Sequence, residues 1–147
     1  MNGVLEELQK IGCKISAAGS RVTCNPAPDT SDHDYLVYAD GDDGILSQVV
    51  AILSTAGFEW EGNSKHYQHC GDEGFMSWRK DQLNLIVTKN PGFARRHKLA
   101  TQVCKELNLM NKADRIRLFQ AILYEAVEDT DGRFIPFEKP AEQPLIF

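Results

Sequence analysis

The sequence predicts an α/β domain of the α+β type: a small mixed β-sheet flanked by helices. Three observations carry this. The chain has 147 residues, enough for one domain with one core. Helix-period and strand-period segments both occur, in the order helix, strand, strand, helix, strand, strand, strand, helix, helix. That order is not the regular alternation of a doubly wound parallel sheet.

The first element is a helix over "NGVLEELQKIG", where Val4, Leu5, Leu8 and Ile11 recur at helical spacing and Gly12 supplies the stop. "KISAAGS" reads as a short strand ending in a Gly-Ser turn. "RVTCNPAPDTS" holds two prolines within an Asn, Asp, Thr and Ser cluster, and most of it reads as loop. "DYLVYA" is a short apolar run of strand formers, suited to a sheet covered on both faces. "DGDDG" makes a turn and can cap the amphipathic helix "ILSQVVAILSTAG", which Gly57 closes.

"FEWEG" is a brief strand and "NSKHYQHCGDEG" a polar irregular segment. "FMSWRKDQLNLIVTK" reads as two strands meeting near "RKDQ". The turn "NPGF" leads into a helix over "ARRHKLATQVCKELNL". A second helix follows over "KADRIRLFQAILYEAV", with Ile116, Phe119, Leu123 and Val127 on one core stripe. The domain is expected to span residues 1–130, with a Pro-rich tail over 131–147 lying on the body or extending from it and contributing one short strand at most.

The net charge of −5 argues against coating nucleic acid by bulk electrostatics, though not against a local basic patch. No apolar run is long enough to span a bilayer, and the N-terminus lacks a secretory pattern. Cys13, Cys24, Cys70 and Cys104 are scattered and read as free thiols of a reducing cytoplasm.

The chemistry concentrates in "GSRVTCNPAPDTSDHDYLV". Two carboxylates, Asp32 and Asp34, stand at the mouth of an apolar strand, where like charges repel and are costly to desolvate. On alternate residues they point the same way, and together suit Mg²⁺ or Mn²⁺. Gly19 and Ser20 form a turn whose backbone N–H groups and hydroxyl suit a phosphate. Arg21 follows directly, either as a phosphate contact or as a surface arginine. His33 has the opposite side-chain direction to its two neighbours and reads as structural or solvent-facing rather than catalytic.

This arrangement resembles the nucleotidyltransferase superfamily, the DNA polymerase β-like fold. Its signature is Gly-Gly or Gly-Ser, a spacer of about ten residues, then Asp-x-Asp or Asp-x-Glu in an apolar strand. Here it stands as Gly19-Ser20, eleven intervening residues and Asp32-His33-Asp34. "PDTSDHDYLV" is similar to the corresponding run of small members. "KDQLNLIVT" and "KADRIRLFQAILY" resemble small phage-encoded nucleotidyltransferase-like proteins. The resemblance implies a mixed sheet with helices, divalent metal at Asp32 and Asp34, nucleoside triphosphate at Gly19, Ser20 and Arg21, and a cytoplasmic protein, in the host cytoplasm if phage-encoded. It implies transfer of a nucleoside monophosphate to a hydroxyl of RNA, protein or a small molecule.

The chain departs from the pattern at one position. Active members carry a third carboxylate on a later strand, and the matching position in "LNLIV" holds Asn84. An amide oxygen can ligate metal but cannot take a proton near neutral pH. Asp81 has the opposite parity and is no replacement in a regular strand. Two functions follow: a transferase in which Asn84 orients the acceptor, or a nucleotide-binding or protein-interaction domain of the same fold that has lost catalysis.

Other clusters are weaker. "HYQHC" offers His66, His69 and Cys70 in a zinc-like spacing but no fourth ligand, and it reads as a polar loop, as do Asp72 and Glu73. Arg95, Arg96 and Lys98 crowd a helix start against its dipole, either to meet an anionic partner or as a solvated face. Arg79 and Lys80 lie near the third metal-site strand, within reach of phosphates. Trp60 and Trp78 are expected in the core.

Overall fold

The computed structural model describes residues 2–27, 32–61 and 75–136. Its elements run α1 (Asn2–Lys10), β1 (Lys14–Ala18), α2 (Ser20–Thr23), β2 (His33–Tyr38), α3 (Asp43–Thr55), β3 (Glu59–Trp60), β4 (Phe75–Lys80), β5 (Leu83–Thr88), α4 (Pro91–Leu107), α5 (Lys112–Tyr124), β6 (Ala126–Glu128) and β7 (Phe134–Pro136). The fold is mixed α+β, as expected from the order of periodicities. "HYQHC", Asp72, Glu73 and the chain beyond residue 136 lie outside the described residues.

Five strands form one sheet in the order β1-β2-β5-β4-β3. β2 and β5 run parallel, and the other neighbours are antiparallel. A parallel pair needs a long crossover. Here the crossover contains α3, β3 and β4, so the halves of anything built across β2 and β5 are distant in sequence.

The apolar run of β2 is buried from both sides. Val37 packs with Leu8, Val49, Leu53, Leu85 and Val87 under α1 and α3. Leu36, its neighbour, packs with Phe75, Phe93 and Leu123 under α4 and α5. Successive residues in opposite cores are what a doubly covered strand requires.

Capping follows the sequence. Asp42 accepts from Ile45 N at 3.0 Å at the start of α3, Asn90 from Phe93 N at 3.0 Å at α4, and Asn111 from Ala113 N at 2.8 Å at α5.

Several expectations are corrected. Ser20–Thr23 is a short helix, not loop: Gly19 O accepts from Val22 N and Thr23 N, closing one turn after β1. α4 begins at Pro91, so Arg95, Arg96 and Lys98 sit past its first turn, where the dipole argument fades. Trp60 lies on the short edge strand β3 and is 63% exposed, whereas Trp78 is buried. α5 ends at Tyr124 because Glu125 turns left-handed, with φ 51°. Val127 therefore leaves the helical stripe and is exposed on β6. Leu123 is buried, with Ile116 and Phe119 packed around it. Ala126 and Val127, expected at the end of α5, instead begin β6, which pairs antiparallel with β7 in the tail.

Candidate active site

The site forms where β1 ends and β2 and β5 begin. Strand register puts Ala18, Asp34, Asn84, Arg79 and Glu59 in one row across the sheet. Residues directly opposite share a face. Asp34 alternates with Leu36, so this row lies on the side of the sheet that α4 and α5 cover.

Asp34 is the centre. Its carboxylate can only accept, so the Asn84 amide presents Nδ2 to it, at 3.1 Å from Oδ1. On the other side stands Gly19, whose φ is 75°; a Cβ built there would lie 1.9 Å from Asp34 Oδ2. The glycine of the Gly-Ser turn thus makes room for the carboxylate as well as for the turn. Burial pushes the Asp34 carboxyl above the usual carboxylate range; the Asn84 hydrogen bond opposes this and the Asp32 charge adds to it.

Asp32 immediately precedes β2. Arg79 on β4 reaches it, NH1 to Oδ2 at 2.5 Å, and the same guanidinium bonds Glu61 through Nε at 2.9 Å. The Asp32 hydrogen bond, foremost, holds Arg79 more firmly protonated than a free arginine. His33 belongs to the opposite parity, pairing with Leu83 on the α1 and α3 side. Ser20 and Arg21 are half-buried at the start of α2, directly after Gly19. Asp81 occupies the β4–β5 turn with φ 54° and is exposed, away from the row.

The donors fit a hard cation. Asn84 Oδ1 is buried and has no hydrogen-bond partner among the described residues. Asp32 and Asp34 are the carboxylate oxygens that Mg²⁺ or Mn²⁺ would take; the Asn84 oxygen could join them only if the amide turned over, because it now presents Nδ2 to Asp34. No group of three or more His, Cys, Asp or Glu among the described residues is arranged to hold a metal, so the third protein donor would be the amide.

No protein-family model and no curated protein matches the sequence. Solved structures do. Its structural neighbours are nucleotidyltransferases. One is a cytoplasmic RNA terminal U-transferase (17% identity, TM-score 0.48, covering 82% of this chain and 35% of that one). Another is the Cid1 poly(U) polymerase with Mg 3′-dATP bound (17% identity, TM-score 0.48, 82% of this chain and 37% of that one). A third is Cid1 in a study of its RNA terminal uridylyl transferase activity (17% identity, TM-score 0.49, 82% and 36%). The chain therefore spans little more than a third of these proteins' length.

Arg95 and Lys98 are exposed on α4, while His97 between them is buried. Arg96 folds back, its NH1 2.9 Å from where a Cβ on Gly92 would stand. Arg95 and Lys98 thus share an exposed face of α4, whereas Arg96 lies back along the helix toward Gly92. Arg79 was readable as a phosphate contact from its place in the sequence. Its bond to Asp32, and the presence of Glu61 in the same group, depend on strand register that no spacing rule supplies.

Proposed function

We propose that this domain binds a nucleoside triphosphate with Mg²⁺ or Mn²⁺ and transfers the nucleoside monophosphate to a hydroxyl acceptor, releasing pyrophosphate. The observation that carries the reading is the packing of Asp34 between Gly19 and Asn84, with Asp32 held on the same side of the sheet. Nothing about an ordinary surface turn calls for a glycine against a half-buried carboxylate that is itself hydrogen-bonded by an amide from a parallel neighbouring strand.

Asp32 and Asp34, joined by the Asn84 oxygen if its amide turns over, would hold the cation, which when bound neutralises charge on the phosphates. Gly19, which lies against Asp34, and Ser20, which follows it, would take the terminal phosphates. Arg21 follows on α2. The acceptor oxygen bonds to the α-phosphorus as the bond to the bridging oxygen breaks, and the hydroxyl proton passes to water. Asn84 can orient the hydroxyl but not take its proton. Chemistry of this kind rests on positioning and charge neutralisation, so it tolerates a missing base at reduced rate. The acceptor is a hydroxyl of an RNA end, a protein or a small molecule. A cytoplasmic setting belongs to the same proposal.

A second reading is a nucleotide-binding or partner-binding domain without turnover. The favouring observation is that Asn84 turns its amide N–H₂, not an oxygen, toward Asp34. Pyrophosphate release by wild type and Asn84→Asp, with Mg²⁺ or Mn²⁺, mixed triphosphates and a pool of RNA and protein acceptors, separates the two. A transferase releases pyrophosphate, and the carboxylate variant releases it faster, by about 10²-fold or more if it regains a general base. A binder gains thermal stability from triphosphate plus metal, yet neither protein turns over. If nucleotide plus metal stabilises neither protein and neither turns over, the transferase and the nucleotide-binding readings both fall, leaving partner binding.

A further inference from the structure

Arg79 sits where it must compete with the cation. Its NH1 is 2.5 Å from Asp32 Oδ2, while its Nε is bonded to Glu61 at 2.9 Å. Both ends of this bridge are partly shielded from solvent, Arg79 and Asp32 being about one-third exposed at 33% and 37%. Strand register fixes the base of the arm, because Arg79 stands opposite Asn84, which stands opposite Asp34. A guanidinium and a divalent cation on one small carboxylate repel. A cation entering at Asp32 therefore has to displace NH1. The Glu61 bond is made nearer the stem of the side chain, so it can persist when the tip is freed. The freed tip then lies beside the bound cation, where the phosphate oxygens of a triphosphate would offer it new acceptors.

We propose that Arg79 is an exchangeable counter-cation: it occupies Asp32 until metal replaces it, and then donates NH1 to the phosphates, with Glu61 holding the arm in both positions. This rests on the metal reading of Asp32 and Asp34. It makes Arg79 a determinant of triphosphate binding, and it makes metal and arginine alternatives at Asp32. Guanidinium donors suit phosphate oxygens as well as carboxylates, so one side chain can serve both partners.

The signature is a reversal of rank order. Mn²⁺ binding to wild type, Arg79→Lys and Arg79→Gln is measured by calorimetry. Inorganic tripolyphosphate, which needs no assumption about the base, is then titrated at saturating Mn²⁺. Removing a charge-assisted hydrogen bond from Asp32 should tighten Mn²⁺ binding about five- to tenfold in the Gln variant, with Lys between. Tripolyphosphate should weaken by a similar factor in the opposite order. A purely structural role would move both affinities the same way. Should the Gln variant fail to fold, the Lys variant carries the comparison. Wild type that binds Mn²⁺ no more weakly than the variants overturns this proposal alone. Unchanged tripolyphosphate affinity overturns the transfer to phosphate. Absence of Mn²⁺ binding in all three overturns the metal site and this proposal with it.

Discussion

A methyl group at position 19 would stand 1.9 Å from Asp34 Oδ2, on a residue whose φ is already 75°. Both effects act together in Gly19→Ala. The backbone at φ 75°, ψ −174°, a region essentially confined to glycine, alone costs about 1–3 kcal/mol for a residue with a Cβ. The clash moves the whole carboxylate, since Asp34 Cγ and Cβ are also within 2.9 Å of the added carbon. Urea denaturation should show a loss of at least that size, and Mn²⁺ titration should show weaker binding. Asp34 itself is held against its own burial. Its pKa is raised in the folded protein, so between the ordinary carboxylate range and the raised value the folded state binds more protons than the unfolded chain. Stability from this group is therefore lost as pH rises through that window. Asp34→Asn should raise the melting temperature at neutral pH without metal and flatten that pH dependence, while abolishing any gain from Mn²⁺. A thermal melt series over pH, with and without Mn²⁺, checks both halves. Much of this was legible from sequence at the level of identity. Alternation put Asp32 and Asp34 on one face, the family resemblance pointed to Asn84 as their partner, and parity relative to Asn84 rejected Asp81. The Arg79–Asp32 contact was not legible, because it spans 47 residues and is set by two strand pairings.

α4 shows how one helix serves both body and surface. His97 faces inward between the rings of Phe93 and Phe119, with centroids 5.8 and 5.2 Å away. Its Nδ1 is buried without a partner among the described residues, and burial lowers its pKa to about 4. The unfolded chain protonates near 6.5, the folded one far later. Stability is thus fully present above 6.5 and lost as pH falls toward 4, by about 3 kcal/mol in all. His97→Leu should remove this acid-side loss, seen as a flatter dependence of urea midpoint on pH between 6.5 and 4. α5 is tied to the loop that precedes it and to the end of α2 through Arg115, whose NH1 faces the carbonyls of Leu109 and Met110 at 2.8 Å and Cys24 Sγ at 3.1 Å. Element types were readable where periodicity ran long, as in α3, α4 and α5. Short elements were not: α2 is one turn that looks like Pro-flanked loop, and β3 is two residues whose tryptophan gives no sign that it lies at an edge. The end of α5 was missed because the stop is a glutamate in a left-handed conformation rather than a glycine.

At the scale of the molecule, the sheet separates two apolar cores and leaves the carboxylates at one end of the α4 side. No helix among the described residues is long and apolar enough to cross a membrane. Element order and the doubly covered β2 followed from the sequence, since hydrophobic pattern dictates them. Strand order did not, because pairing partners are chosen by packing across the whole chain. That pairing has a kinetic consequence. The parallel join of β2 to β5 brings Asp34 to Asn84 across 50 residues, and contacts that close so long a loop are entropically expensive to form early. Asn84 therefore does not meet the aspartates until the crossover has closed, although Gly19 can reach Asp34 through the β1–β2 pairing alone. A ligand that needs Asn84 beside the aspartates recognises only the finished protein and cannot guide the chain toward it. In stopped-flow experiments saturating Mn²⁺ should leave the refolding rate unchanged and slow unfolding by the full factor of the stability it adds. A faster refolding limb would mean that the aspartates meet their amide neighbour before the sheet is complete.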